Sequence, residues 1–324
     1  MIEEKEHLKF HLGPLTCSAQ ALGKGPIVLC LHGFPDTANS FRHQLPALAK
    51  SGYRAISLTL RGYEPSSLSP DRDYSLEAIA GDVIGVVEQL EVGPVHLVGH
   101  DWGAAVAYLV GAAAPQKFKS LVALAVPHSG RFAREGLRVA KQLRLSWYMG
   151  LFNLPVISDY VVRQRDYAFI RKLWNDWSPD WKPVPGVLED VISSLRQPGV
   201  TSAALSYYRA AVSLAALTAS VEEAHFQVPV PTLSLSGAAD GCISSTVFED
   251  LMVETDFPKG MKFHRVVKNH NRQGGSHYQT LWSDMGESRW VICSSSLIEI
   301  NGETMCDEVM AFQSNSKGDL FTAG

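Results

Sequence analysis

The chain has no apolar run approaching the roughly 18 residues that a membrane-spanning helix requires. Its opening residues, MIEEKEHLKF, are charged and lack the apolar core of a signal peptide, so a cytoplasmic protein is expected. Cysteine is scarce. The five thiols (Cys17, Cys30, Cys242, Cys293 and Cys306) are an odd set without metal-like spacing, and no histidine pair is spaced for a metal either. Cys30 lies in the apolar run IVLCL, where a thiol packs as a small hydrophobe. No metal and no cofactor are therefore expected. Positive charge is not in excess: 29 Lys and Arg stand against 33 Asp and Glu, a net charge of −4. Such a balance draws neither nucleic acid nor an anionic membrane surface, and a substrate is not captured by bulk charge. There is no internal repeat, and the sequence carries no sign of oligomeric state.

What is present is the composition of a globular protein, with 46% apolar and 19% charged residues. A length of 324 residues suits one large α/β domain carrying an inserted lid, or two modest domains. The run at 27–31 is short and continuously apolar, as in a strand buried on both faces. A helical stretch at 40–50 precedes a second strand near 54–60. Leu76, Ile79, Ala80, Val83, Val87 and Leu90 then mark one face of a helix. A strand at 95–98, an alanine-rich helix at 104–114 and a strand at 121–126 continue the alternation, which predicts a mostly parallel sheet. The rhythm changes after Pro127: residues 130–226 read as aromatic helical segments without a buried strand, and strand character returns at 231–236. The expected organisation is an α/β core over 1–129 and 227–292, a helical cap over 130–226, and a divergent, partly disordered tail over 293–324.

The most informative segment is VGHDWGA at 98–104, between a strand and a helix, with glycines two positions either side of Asp101. A sharp strand-to-helix turn strains its central residue and needs small neighbours so that backbones can approach. A carboxylate at the centre, where serine is usual, would attack carbon to give an alkyl ester. A structural Gly-Asp-Gly turn is the plain alternative. Upstream, HGFP at 32–35 follows the strand at 27–31 and should reach the same sheet edge. Its backbone N–H, with that of Trp102, could hold developing negative charge, and Pro35 is a candidate for a cis peptide. Asp240 follows the strand at 231–236 through Gly237, so it should emerge beside Asp101, where a carboxylate can orient an imidazole. Asp250 and Asp256 are weaker rivals.

HGFPD at 32–36, RGY at 61–63, GHDWG at 99–103 and GAAD at 237–240 resemble the α/β-hydrolase superfamily, in its epoxide hydrolase and haloalkane dehalogenase branch, over roughly residues 8–267. The resemblance implies an α/β-hydrolase fold with an inserted helical lid, Asp101 as nucleophile, Asp240 as the acid that orients the base, and Phe34, Trp102 and His32 as oxyanion and substrate-binding residues. It also separates the branches. Dehalogenases add an asparagine after His-Gly, or a second tryptophan, whereas Phe34 cannot donate from its side chain. Epoxide hydrolases use two lid tyrosines, whose phenols donate yet stay protonated near neutral pH. Tyr148, four residues before Phe152-Asn153, and Tyr208, in SYYR at 206–209, match those settings, with Tyr207 as an alternative to Tyr208. Tyr160 and Tyr167 lack a comparable context.

The family's base is a histidine beyond the last strand. Here His277, in GSHY at 275–278, matches the local motif, and His270 matches the expected distance. His264 falls within the strand. Without a base the ester would form and persist. The expected function is conversion of a small apolar epoxide and water to a vicinal diol. The alternatives are a haloalkane dehalogenase using the same aspartate and a catalytically impaired, hydrolase-like binding protein.

Overall fold

The computed structural model describes residues 5–179, 186–211 and 227–266, together with four short strands nearer the C-terminus. Eight strands form one sheet in the order β1-β2-β4-β3-β5-β6-β7-β8. They are β1 (Glu6–Leu12), β2 (Leu15–Leu22), β3 (Ile27–Leu31), β4 (Arg54–Leu58), β5 (Val95–His100), β6 (Phe118–Leu124), β7 (Thr232–Gly237) and β8 (Met261–Val266). From β4 to β8 every pairing is parallel. The first two strands form an antiparallel hairpin on the β4 edge. That hairpin escapes the reading of apolar runs for a local reason. β1 is mostly exposed, with only Phe10 buried, and β2 places polar Thr16, Ser18 and Gln20 among its apolar residues.

The period-2 alternation of a strand sends β3 into two different cores. Ile27, Leu29 and Leu31 belong to one cluster, whereas Val28 and Cys30 belong to the other, so Cys30 packs as a hydrophobe. Helix α1 (Gln44–Lys50) covers the second cluster with Leu45 and Leu48. The helix expected at 40–50 is thus split, because a 3₁₀ turn at Ala38–Phe41 comes first. Helices α2 (Leu76–Gln89) and α3 (Trp102–Ala113) cover the larger cluster. Ser75 caps α2 by accepting the Ala78 N–H at 3.2 Å, a start signal of the usual kind.

Among the described residues, six α-helices lie between β6 and β7: α4 (Ser129–Glu135), α5 (Ala140–Leu145), α6 (Trp147–Phe152), α7 (Ile157–Trp177), α8 (Val187–Arg196) and α9 (Val200–Ala211). In α8 the buried residues Leu188, Val191, Ile192 and Leu195 follow the 3–4 spacing of a single apolar face. α7 is broken at 164–167, where residues 165–167 take left-handed backbone angles. After β7 comes α10 (Ser245–Asp250). Among the described residues no helix is long and apolar enough to cross a membrane. Beyond β8 the structure describes β9 (Trp290–Val291), β10 (Ile298–Ile300), β11 (Glu303–Met305) and β12 (Ala311–Phe312). β10 pairs with β11, and β9 with β12, both antiparallel. The expected cap boundary at 226 and most of the expected tail over 293–324 lie outside the described residues.

Candidate active site

Asp101 sits at the junction of β5 and α3 with φ 53° and ψ −117°, a conformation that a non-glycine residue adopts only when its surroundings enforce it. The enforcement is a close backbone crossing. A Cβ on Gly99 would lie 2.2 Å from the Gly103 carbonyl oxygen, and one on Gly103 would lie 2.2 Å from the Leu31 carbonyl oxygen. Both clashes are with backbone, so only glycine allows the turn.

Register aligns the neighbouring loop. Leu31 pairs with Gly99, so the chain leaving β3 runs beside the elbow. The Phe34 N–H donates to Asp101 Oδ1 at 2.7 Å, and the Trp102 N–H also donates to this carboxylate. The peptide between Phe34 and Pro35 is cis. His32 departs from its expected place among the substrate-binding residues. Its Nδ1–H donates to the Gly33 carbonyl at 3.0 Å, and its Nε2 accepts the Leu60 N–H at 3.1 Å. Complete burial lowers its pKa to about 4, so the ring is a neutral brace between two loops.

Asp240 follows β7 and caps the next turn: its Oδ1 accepts the N–H groups of Cys242 at 2.7 Å and Ile243 at 3.0 Å. Asp101 and Asp240 line one pocket that opens to solvent, with Asp36, His100, Cys242, Trp174 and Trp177 among its other walls. Burial pushes the Asp101 carboxyl up to about 7, against the two N–H donors and with help from the charges of Asp240 and Asp36. Burial likewise raises Asp240 to about 6 and Asp36 to about 6. The rival acids are engaged elsewhere. Asp256 is held by Arg131 at 2.5 and 2.7 Å, and Asp250 is exposed at the end of α10.

The two tyrosines come together. Their rings, from α6 and α9, lie 5.6 Å apart between centroids, and Tyr208 packs 5.1 Å from Trp102 and 5.2 Å from Phe34. Tyr148 Oη meets Cys242 Sγ at 3.4 Å. Tyr208 Oη and Trp102 Nε1 are buried and make no hydrogen bond of good geometry, although the indole lies near enough to favour the ionised phenol slightly. Burial, followed by nearby charge, raises both phenols well above the usual tyrosine range, so they remain proton donors. Tyr207 differs: its hydroxyl is spent on the Arg61 carbonyl at 2.7 Å. Tyr160 is exposed, and Tyr167 donates to the Leu195 carbonyl at 2.9 Å. His264 lies in β8, whereas His277 and His270 lie outside the described residues.

Four wall residues were not singled out from sequence. Trp174 donates its indole N–H to the Pro35 carbonyl at 3.0 Å, and Trp177 packs its ring 4.9 Å from Tyr148. Asp36 is the last residue of the HGFPD motif, and Cys242 stands two residues beyond Asp240. Proximity to a motif was the signal for the second pair; the tryptophans had none, since α7 is distant in sequence. Among the described residues no group of three or more His, Cys, Asp or Glu side chains is arranged to hold a metal ion.

The family model for the alpha/beta hydrolase fold matches residues 26–183. Epoxide hydrolase 4 of Mus musculus is 30% identical over 281 residues, 84% of this chain and 72% of that protein. Epoxide hydrolase 3 of Siraitia grosvenorii is 34% identical over 255 residues, 71% of this chain and 80% of that protein. Among solved structures, the Bacillus megaterium epoxide hydrolase in complex with an inhibitor superposes with a TM-score of 0.69 at 25% identity, over 81% of this chain and 91% of that one.

Proposed function

Because the chain belongs to the α/β-hydrolase fold family, in its epoxide hydrolase branch, we propose that it opens an epoxide to a vicinal diol through an ester on Asp101. The chain is a hydrolase of epoxides. The observation that supports the covalent route is the arrangement at Asp101: Oδ1 already accepts the Phe34 N–H, the Trp102 N–H favours the same carboxylate, and Tyr208 packs against both of those residues.

In the first step Tyr148 and Tyr208 hold the oxirane oxygen, and Asp101 attacks one ring carbon with the oxygen other than Oδ1. As the C–O bond breaks, the electron pair goes to the departing oxygen, which takes a proton from one phenol. Oδ1 becomes the ester carbonyl oxygen without moving. In the second step His277, or His270 in its place, removes a proton from water, and Asp240 stabilises the imidazolium. The hydroxide attacks Cγ of Asp101. The Phe34 and Trp102 N–H groups hold the oxyanion; its collapse breaks the ester C–O bond, the leaving alkoxide takes the imidazolium's proton to complete the diol, and the Asp101 carboxyl returns its proton to the phenolate. The substrate is uncharged and largely apolar. The pocket's described lining has three carboxylates, no lysine or arginine, and several aromatic rings. Halide chemistry is less well supported, because the Phe34 side chain has no N–H to offer a leaving halide and Trp174 has its N–H committed to the Pro35 carbonyl.

The test is diol formation from a panel of aryl and alkyl epoxides, paired with intact mass. The wild-type chain should turn over, whereas Asp101→Ala should give neither diol nor adduct. His277→Ala should accumulate a chain heavier by one substrate, and added imidazole should restore turnover if His277 is the base. Diol formation at an unchanged rate by Asp101→Ala would sink the assignment.

A further inference from the structure

Cys242 has no part in the mechanism above, yet it touches both of its halves. Its backbone N–H donates to Asp240 Oδ1 at 2.7 Å, so the acid assigned to the second step also fixes the turn that carries this thiol. Its Sγ meets Tyr148 Oη at 3.4 Å, and its side chain lines the pocket that Asp101 and Asp240 share. The neighbouring phenol makes the contrast useful. Tyr208 Oη is buried without a hydrogen bond of good geometry, as a donor awaiting a ligand oxygen would be, whereas Tyr148 Oη is already directed.

We propose that Cys242 is a positioning residue: it aims the Tyr148 phenol at the oxirane oxygen and thereby helps select which ring carbon faces Asp101. This inference rests on the epoxide reading. The ring of Tyr148 is confined by Trp177 at 4.9 Å, Phe152 at 5.5 Å and Tyr208 at 5.6 Å. What remains to be set is the O–H direction and a small tilt, and Sγ sets both. A thiol suits this task because sulfur is a weak donor and a weak acceptor. It steers the phenol while empty, then yields when an ether oxygen offers a better hydrogen bond. A carboxylate at this place would hold the phenol proton too firmly, and a methyl group would not direct it at all.

The thiol must also survive electrophiles in its own pocket. Burial, together with the charges of Asp240 and Asp101, holds Cys242 well above the usual thiol range. The reactive thiolate is therefore scarce, and the residue is not alkylated in place of Asp101.

The experiment compares the full-length wild type with Cys242→Ala and Cys242→Ser, each alone and combined with Tyr148→Phe, on a racemic phenyl-substituted epoxide. Turnover in ¹⁸O-labelled water followed by mass spectrometry of the diol gives the ratio of attack at the two ring carbons. That ratio comes only from folded, working molecules, so partial unfolding does not move it. Loss of one weak hydrogen bond should lower kcat/KM of Cys242→Ala by about three- to tenfold, mainly in kcat, and shift the ratio. Cys242→Ser should recover most of both. In the Tyr148→Phe background, Cys242→Ala should change kcat/KM by less than about twofold, because the group it acts through is gone. An active wild type with an unchanged ratio and rate in Cys242→Ala, or an equal loss in both backgrounds, overturns the proposal. A wild type that yields neither diol nor an Asp101 adduct overturns the epoxide reading itself, and this inference with it.

Discussion

At Asp101, burial and charge repulsion oppose the ionised form that a nucleophile needs, and only two backbone N–H groups favour it. With its pKa raised to about 7, the carboxylate is the minor species in mild acid. The rate of ester formation, read by quenched single-turnover mass spectrometry with an uncharged epoxide, should therefore climb about tenfold per pH unit well below neutrality and level off above it. Asp240, raised only to about 6, is largely charged while Asp101 titrates. Asp240→Asn removes that repulsion and should move the midpoint to lower pH; a midpoint that stays or rises would contradict the coupling. The neighbouring tyrosines make a second, paired prediction. Tyr208 Oη is buried with no hydrogen bond of good geometry, so Tyr208→Phe should leave the melting temperature equal or slightly higher while diol formation falls about 10²-fold. Tyr207→Phe forfeits a buried hydrogen bond to the Arg61 carbonyl and should cost about 1 kcal/mol of stability instead. Thermal denaturation beside turnover separates the two, and a reversal of the pattern would assign the working phenol to Tyr207.

At the level of elements, the elbow is defined by a backbone crossing that no side-chain adjustment relieves. Gly103→Ala should cost more than the roughly 1–3 kcal/mol of ordinary overpacking, because the added carbon meets the Leu31 carbonyl of β3. Soluble yield and circular dichroism would show it, and a normally folded Gly103→Ala protein would refute the close approach. This element was legible in sequence because its constraint is local: two glycines around one acid, between a strand and a helix. Strands β3 and β5 to β7 were legible because both faces are buried and the residues are continuously apolar. The β1–β2 hairpin was not, since one of its strands is largely exposed. On α2 the stripe from Ile79 to Val87 was read correctly, but the buried acid in its midst was not. Asp82 sits against the core because Arg61 approaches it with two N–H groups at 2.5 and 2.7 Å. No periodicity encodes that partner. Trp174 reaches Pro35 across 139 positions of sequence, which is why the walls of the pocket were harder to foresee than its nucleophile.

Over the whole molecule, favourable and unfavourable terms are segregated. The central strands are buried on both faces by two apolar clusters, and the best-buried ion pairs, Arg61–Asp82 and Arg131–Asp256, tie loops and helices together. The strained elbow and the carboxyls raised by burial are gathered around one pocket. Such segregation makes stability depend on pH in a definite direction. A carboxyl whose folded pKa lies above its unfolded value binds its proton more tightly when folded. Its stabilisation is full below the unfolded pKa near 4 and is lost as pH rises through the folded pKa. For Asp101 that window runs from about 4 to about 7. Each unit of difference is worth about 1.4 kcal/mol, so the charged aspartate should cost the fold a few kcal/mol above neutrality. Asp101→Asn keeps an oxygen for the Phe34 N–H but never ionises. It should match the wild type near pH 4, gain on it steadily up to about pH 7, and hold a constant lead above that. Urea denaturation of both proteins at each pH cancels the titrating groups that are not coupled to Asp101. A lead that is absent at pH 8, or that shrinks as pH rises, would mean that Asp101 is not held above its usual range and that its ionisation is no burden on the fold.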